Sequence, residues 1–299
     1  MRVGVAGPPL FGTGPDPVAI RDFAQAVEDM GFDHYGFAER VVQNDTSRIP
    51  EFAGRPANHR ALFNEAFTLM SFLAGVTRRI ELMSCVLILP LRPAALVAKQ
   101  AAHAQMLSGG RIRLGVAVGG SALEYEAMGA DFHTRGRRLE EQIEVLRRLW
   151  TEDSVTFQGR FHNLRAATLN PRPDPPIPIW IGSGNANAPF PAEPLLRRAA
   201  RIADGFIAMS LLPPERAAEL VGRLRAFARE YGRPEGSFGI EGDITLTGKT
   251  PDGWRRETRL WRDAGADRLM LRMRDMKPAD QLTALRVYRE EVLEEQAPR

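Results

Sequence analysis

The chain has 299 residues, 44% of them hydrophobic, with 40 basic side chains, 37 acidic ones and a single cysteine, Cys85. This is enough for one large α/β barrel or two ordinary domains with a real core. One cysteine excludes an internal disulfide, a spread net charge of +3 without a basic block argues against nucleic-acid binding, and no run reaches the roughly 18 apolar residues of a membrane span.

Taken in order, Val3–Gly7 is the first predicted strand. No signal-peptide layout precedes it, which with the lone cysteine gives the expectation of a cytoplasmic protein. Asp16-Pro17 opens a helix whose apolar stripe is Ile20, Phe23, Ala24, Val27 and Met30. His34–Glu39 is the second strand, and the long polar segment Val41–Arg60 reads as a functional loop or lid, with Phe52 and Phe63 as apolar walls. Asn64–Ala74 is the second helix.

Ile80–Leu89 and Ile112–Gly119 are short runs rich in Val, Ile and Leu that do not alternate, the pattern of strands buried on both faces of a parallel sheet. The helix Ala94–Leu107 lies between them, opened by Pro93 and closed by Ser108-Gly109-Gly110. This is a βαβ unit, and the rest of the chain repeats it. Helices at Ser121–Met128 and Thr134–Trp150 follow, then a hairpin over Val155–Leu164 turning at Gln158-Gly159. The remaining predicted strands are Ile179–Gly182, Gly205–Ser210, Phe238–Thr247 and Arg268–Met273, with helices after Ala217 and over Asp280–Glu294. Eight strands with no break in composition predict a single domain, residues 1–299, folded as a (β/α)8 TIM barrel.

In such a barrel the chemistry sits on the loops that follow the strands. Ile181-Gly182-Ser183-Gly184-Asn185-Ala186 then offers either a backbone nest for phosphate or a plain turn that needs glycine for positive φ. Glu39 and Arg40 end the second strand, as a catalytic pair or as an ion pair of Glu39 with a neighbouring arginine. Cys85, inside an apolar strand, reads as a small buried hydrophobe. The five histidines form no metal motif, and no G-x-S-x-G elbow exists. A Schiff-base lyase would have to use Lys249. A candidate phosphate site without a self-sufficient catalyst points to a bound cofactor.

Several motifs then carry a resemblance: Ala98-Lys99-Gln100-Ala101-Ala102, Leu107-Ser108-Gly109-Gly110-Arg111, Leu114-Gly115-Val116, Glu124-Tyr125-Glu126-Ala127-Met128-Gly129, Leu149–Asp153, Ile179–Gly182 and Ala203-Asp204-Gly205. In this order the chain resembles the bacterial-luciferase-like flavin-dependent oxidoreductases, most of all the branch using the deazaflavin coenzyme F420. The resemblance implies a (β/α)8 barrel with an insertion after strand four, and F420 or FMN at its C-terminal mouth. It places a non-proline cis peptide on strand three among Ser84, Cys85 and Val86, with Cys85–Val86 the expected bond, behind the cofactor ring. It matches Gly182, Ser183 and Gly184 to the cofactor phosphate, Gly119 and Gly120 to the cofactor tail, and Glu39 to the ring side.

Two positions depart from the pattern. Arg40 stands where deazaflavin users often have a proton-donating His, and Gly120 where a Trp is common. A charged Arg40 would hold an anionic substrate or stabilise a reduced flavin anion. The implied function is hydride transfer between F420 and a small-molecule substrate. The alternatives are an FMN-dependent monooxygenase fed by a separate reductase and a non-catalytic flavin-binding barrel. A homodimer through the second and third helices, with neither nucleic acid nor membrane as partner, completes the expectation.

Overall fold

The computed structural model describes residues 1–7, 16–52, 62–184, 189–209, 212–273 and 276–294. Eight parallel strands close into a barrel: β1 (Arg2–Ala6), β2 (His34–Phe37), β3 (Glu81–Ile88), β4 (Ile112–Ala117), then β7 (Ile179–Ser183), β8 (Gly205–Ala208), β9 (Gly239–Thr245) and β10 (Arg268–Arg272), which pairs back to β1. Between β4 and β7 lies the expected insertion, an antiparallel ribbon of β5 (Val155–Gln158) and β6 (Asn163–Ala167). Its turn is longer than Gln158-Gly159, because Gln158 still pairs with Asn163. The Glu141 carboxylate closes that turn by accepting the backbone N–H groups of Arg160, Phe161 and His162 at 2.7–2.8 Å.

Around the barrel run α1 (Pro17–Asp29), α2 (Ala66–Val76), α3 (Ala94–Ser108), α4 (Ala122–Ala127), α5 (Arg135–Thr151), α6 (Glu193–Ile202), α7 (Ala217–Glu230), α8 (Pro251–Asp263) and α9 (Pro278–Tyr288). The Asp16 side chain accepts from Val18 N–H at the start of α1, and Gly109, in the left-handed region at φ 68°, ends α3. The second helix begins at Ala66 rather than Asn64: Glu65 caps it, accepting from Thr68 N–H at 2.8 Å, and Asn64 bridges instead to Glu39. α6 and α8 lie outside the predicted helices, and their buried stripes are short or mixed. α6 buries only Leu196, Ala199 and Ala200, and α8 mixes Glu257 and Thr258 with Trp254 and Trp261.

One device recurs at the N-terminal face. Asp33, Asp204 and Asp267 each stand just ahead of a strand and accept a backbone N–H from a neighbouring one: Val3 at 2.7 Å, Ile179 at 2.8 Å and Ile240 at 2.7 Å. Charge-assisted acceptors there satisfy strand-end donors that the ladder leaves over. Arg111, from the Ser-Gly-Gly-Arg motif, is structural in the same way. Its guanidinium donates to the carbonyls of Ala74, Thr77, Ile80 and Ser108, tying α2, β3 and α3 together.

Inside the lower half of the barrel, Arg113 lies between Glu81 (2.6 Å) and Glu241 (2.5 Å), with its guanidinium carbon 4.4 Å from the ring centre of Trp180. Arg268 also reaches Glu81, and His34 reaches Glu241 at 3.3 Å. Gly4 makes room for that imidazole, since a Cβ there would collide with it. Burial works against the Glu241 charge, but Arg113 outweighs it and holds the carboxyl well below the ordinary carboxylate range.

Candidate active site

The opposite, C-terminal end of the interior is built by an irregularity in β3. Strand β3 pairs Ser84 with Leu114 and then Leu87 with Val116, so three steps on β3 match two on β4. A regular strand alternates its faces, so the extra residue reverses the alternation. Met83 and Cys85 point inward before it, and Val86 and Ile88 pack inward after it. The Cys85–Val86 peptide bond is cis, at the bond the resemblance implied. The Ser84 hydroxyl is turned to the neighbouring strand, donating to Gly115 carbonyl at 2.9 Å.

Glycines let the side chains of this floor lie close against the neighbouring backbone. A Cβ on Gly182 would stand 2.5 Å from Val86 Cγ1, one on Gly184 2.7 Å from Met209 Cβ, and one on Gly119 2.8 Å from Ile88 Cγ2. Gly119 also has φ 65°, whereas Gly120 has open space on its Cβ side. Neither Gly182 nor Gly184 has positive φ, so these glycines answer to close packing and not to a turn. Gly182 and Ser183 are still strand residues, paired with Ile207 and Ala208. Asn185 and Ala186, the rest of the expected nest, lie outside the described residues. Among the described residues the next helix, α6, begins at Glu193.

The rim over β2, β3 and β4 is a knot of charges. Glu39, 6% exposed, accepts two hydrogen bonds from the Arg92 guanidinium, at 3.0 and 2.7 Å, and a third from Ile88 N–H at 3.0 Å. The ion pair, one of the two readings of Glu39, is present, with Arg92 as the partner. With three hydrogen bonds accepted, that carboxylate ties Arg92 to the end of β3 and fixes the rim. The next residue is different. Arg40 is exposed, and its guanidinium carbon lies 5.3 Å from the ring centre of Phe63. Beside it, Glu124 of α4 accepts from Val41 N–H at 3.3 Å. Burial pushes the Glu124 carboxyl up, against the pull of Arg40.

Under the floor, the Arg272 guanidinium donates to Cys85 Sγ at 3.1 Å and to the Asp243 carboxylate. Burial pushes the Cys85 thiol up in spite of the nearby cation. Thus Cys85 is a packed, hydrogen-bonded thiol, as its apolar surroundings indicated. Lys249 does not face the mouth chemistry at all. Its ammonium is bound by Glu257 of α8 at 2.6 and 2.7 Å, which removes the support for a Schiff base. Arg92, Asp243 and Arg272 are not among the candidates the sequence offers, and Glu124 enters there only within a family motif. Asp243 and Arg272 carry a signal as charged residues inside strands, and Glu124 as part of a motif; Arg92 carries none.

Of the expected lid, the segment 41–52 holds two short turns, Thr46–Arg48 and Pro50–Phe52, and 53–60 lies outside the described residues. Among the described residues no group of acidic, His or Cys side chains could hold a metal ion, and no helix is long and apolar enough to cross a membrane.

A parallel eight-stranded barrel with an apolar, glycine-lined mouth defines a cofactor-binding enzyme scaffold. The chain belongs to the luciferase-like monooxygenase family, whose model matches residues 1–286. It is 40% identical over 194 residues to the uncharacterised protein Rv0940c of Mycobacterium tuberculosis, covering 65% of this chain and 64% of that relative, less than two thirds of its length. It is 30% identical over 252 residues to an F420-dependent glucose-6-phosphate dehydrogenase of Kineococcus radiotolerans, covering 82% of this chain and 68% of the relative. Against the pyrimidine monooxygenase RutA of Allorhizobium ampelinum it is 32% identical over 246 residues, 79% of this chain and 63% of the relative. In fold it is similar to the monooxygenase RslO1 from Streptomyces bottropensis, with a TM-score of 0.77 at 19% identity over 99% of this chain and all of that one. The family thus holds both F420-dependent oxidoreductases and monooxygenases.

Proposed function

We propose that the chain is an oxidoreductase that binds coenzyme F420 at the barrel mouth and moves a hydride between it and a small organic substrate. The observation that carries this reading is the cradle formed by Val86 and Ile88 packed against Gly119 and Gly182. It offers an apolar surface, with backbone and not side chains on the glycine strands facing it, which suits a flat ring. When bound, the deazaflavin supplies two-electron chemistry that no residue of the mouth can supply. Val86 and Ile88 would support the ring, Gly119, Gly120, Gly182, Ser183 and Gly184 would leave the backbone open to its tail and phosphate, and the Glu39–Arg92 pair would hold the rim in place. Arg272 and Asp243 would keep the floor rigid behind Cys85.

A second reading has its own support: an FMN-dependent monooxygenase served by a separate reductase. RutA is as similar to this chain as the F420-dependent relative is, and Arg40 occupies the position where a His would favour the deazaflavin route. Titration with F420 and with FMN, followed by cofactor absorbance and fluorescence, separates the two. Tight F420 binding alone supports the first reading, tight FMN binding alone transfers the proposal to the second, and binding of neither overturns both. Binding of cofactor without turnover under any donor and acceptor would leave the non-catalytic barrel.

We further infer a homodimer, one domain and a cytoplasmic location. The dimer is supported by Phe72 of α2 and by Leu96, Met106 and Leu107 of α3, which are 36–57% exposed. Light scattering at micromolar concentration checks it, with a monomer as the contrary result.

A further inference from the structure

Most arginines near the mouth are already occupied. Arg92 is held by Glu39, and Arg272 by Asp243. Among the described residues no carboxylate holds Arg40 in this way. Its backbone N–H donates to Asn64 carbonyl, while its guanidinium meets the face of Phe63. Three contacts of its immediate neighbours fix where it stands. Glu39 accepts from Ile88 N–H at the end of β3, Val41 donates to Glu124 beyond β4, and Glu39 bridges to Asn64 ahead of α2. The segment 39–41 therefore lies across the C-terminal ends of β2, β3 and β4, on the rim of the cradle.

The acids close by do not neutralise Arg40 by direct bonds. Glu39 has both oxygens on Arg92. Glu124 gives an oxygen to Val41 N–H and is only 3% exposed. The guanidinium carbon stands 5.3 Å from the Phe63 ring centre, and Arg40 is exposed, so its N–H donors are open to a ligand. A guanidinium edge presents parallel N–H donors in one plane, the match for a carboxylate. The attraction of the cation to the ring limits where the exposed guanidinium can swing.

We propose that the substrate of this mouth is a small organic carboxylate and that Arg40 is the residue that selects it. The proposal rests on the reading of the mouth as a cofactor and substrate site. Arg40 donates two N–H bonds to the substrate carboxylate, Phe63 limits the swing of the guanidinium, and the remainder of the substrate lies toward the Val86 shelf. The same charge rejects amines and gains nothing from neutral amides, so discrimination comes from both attraction and repulsion.

The test uses matched pairs, acetate with acetamide and benzoate with benzamide, titrated by calorimetry and ligand-observed NMR. Both the cofactor-free chain and the chain loaded with whichever of F420 and FMN binds are used. In the wild type the acids bind at least tenfold more tightly than their amides. Arg40→Met abolishes that preference, and Arg40→Lys restores part of it, because the charge returns without the planar fork. Amide binding stays the same in all three proteins, and circular dichroism verifies the fold. Acids and amides that bind alike in the wild type, or an acid preference that survives Arg40→Met, overturn the proposal. Cofactor titration of the same preparations keeps the two claims apart. Failure of both cofactors to bind overturns the cofactor reading while the acid preference of the cofactor-free chain still decides the role of Arg40.

Discussion

The two ends of the barrel interior both contain buried charges, but they are arranged to opposite effect. At the N-terminal end Arg113, Glu81, Glu241, Arg268 and His34 fill the space between the strands, and Trp180 lies flat against Arg113. At the C-terminal end the charges stand to one side, as Arg272 with Asp243 and Arg92 with Glu39, and the centre is left to Val86, Met209 and glycines. The lower end is a plug and the upper end is a cradle. Buried ion pairs are a poor source of stability compared with apolar packing, but a severed one is very costly. The lower network is therefore rigid by necessity, and it supports a mouth whose glycines contribute little packing of their own.

The largest effect is expected where that plug is cut. Arg113→Met leaves Glu241 and Glu81 facing each other in the interior and lowers unfolding stability by about 3–5 kcal/mol in urea titration. The cofactor affinity of the remaining folded protein is unchanged, because the cut lies toward the N-terminal ends of the strands and the cradle toward their C-terminal ends. A loss below about 1 kcal/mol would show that the network is not what closes the lower end. Acid has a related effect through Glu241. Its folded carboxyl is depressed, so the stability it contributes is present above its ordinary value of about 4.3 and is lost as pH falls through the depressed value. Glu241→Gln flattens the stability profile on that acid side, and an unaltered profile would remove Glu241 from the account.

Next in size come changes at the rim and the shelf. Arg92→Met strands the Glu39 carboxylate and is expected to cost about 2–3 kcal/mol. This is less than at Arg113, since Ile88 N–H still donates and the Arg92 side chain keeps 10% of its surface in solvent. Amide exchange should quicken first in residues 39–45; uniform quickening along the chain would mean that the pair holds more than the rim. Gly182→Val places methyl groups against Val86 and costs about 1–3 kcal/mol by overpacking. Here the informative result is binding: cofactor affinity falls at least tenfold, whereas an unchanged affinity would move the cofactor off this shelf.

The difference between plug and cradle also explains what the sequence could and could not reveal. The strands are short apolar runs, so each was visible, and together with the motifs they indicated the barrel, the insertion and the family. Asp204 was quoted within a motif, but its partner Ile179 is a neighbour only in the closed barrel. Glu39 was singled out with two readings, and its partner in the ion pair, Arg92, stands 53 residues away. Arg272 and Asp243 looked like interruptions of strands, with no means of telling plug from floor. The inward turn of Val86 depends on a slip between β3 and β4, a property of paired strands that no single strand displays. Only the resemblance pointed to that place. The glycines at 182 and 184 invited a reading through φ, and their actual cause is the side chain opposite.

The smallest expected effect is also the sharpest probe of the cradle, because it compares two adjacent glycines. Gly119 is held at φ 65° with Ile88 in the way of a Cβ, so Gly119→Ala pays a left-handed penalty of about 1 kcal/mol or more before any ligand is present. Gly120 has an ordinary φ and nothing within 4 Å of a Cβ. Gly120→Ala therefore leaves stability within about 0.5 kcal/mol of the wild type, on the favourable side if the unfolded chain loses freedom. The space it fills is the space assigned to the cofactor tail. A few-fold loss of cofactor affinity without loss of stability is thus the expected signature of Gly120→Ala, while Gly119→Ala loses both. Affinity indifferent to Gly120→Ala would take Gly120 out of the site and draw the edge of the cradle at Gly119.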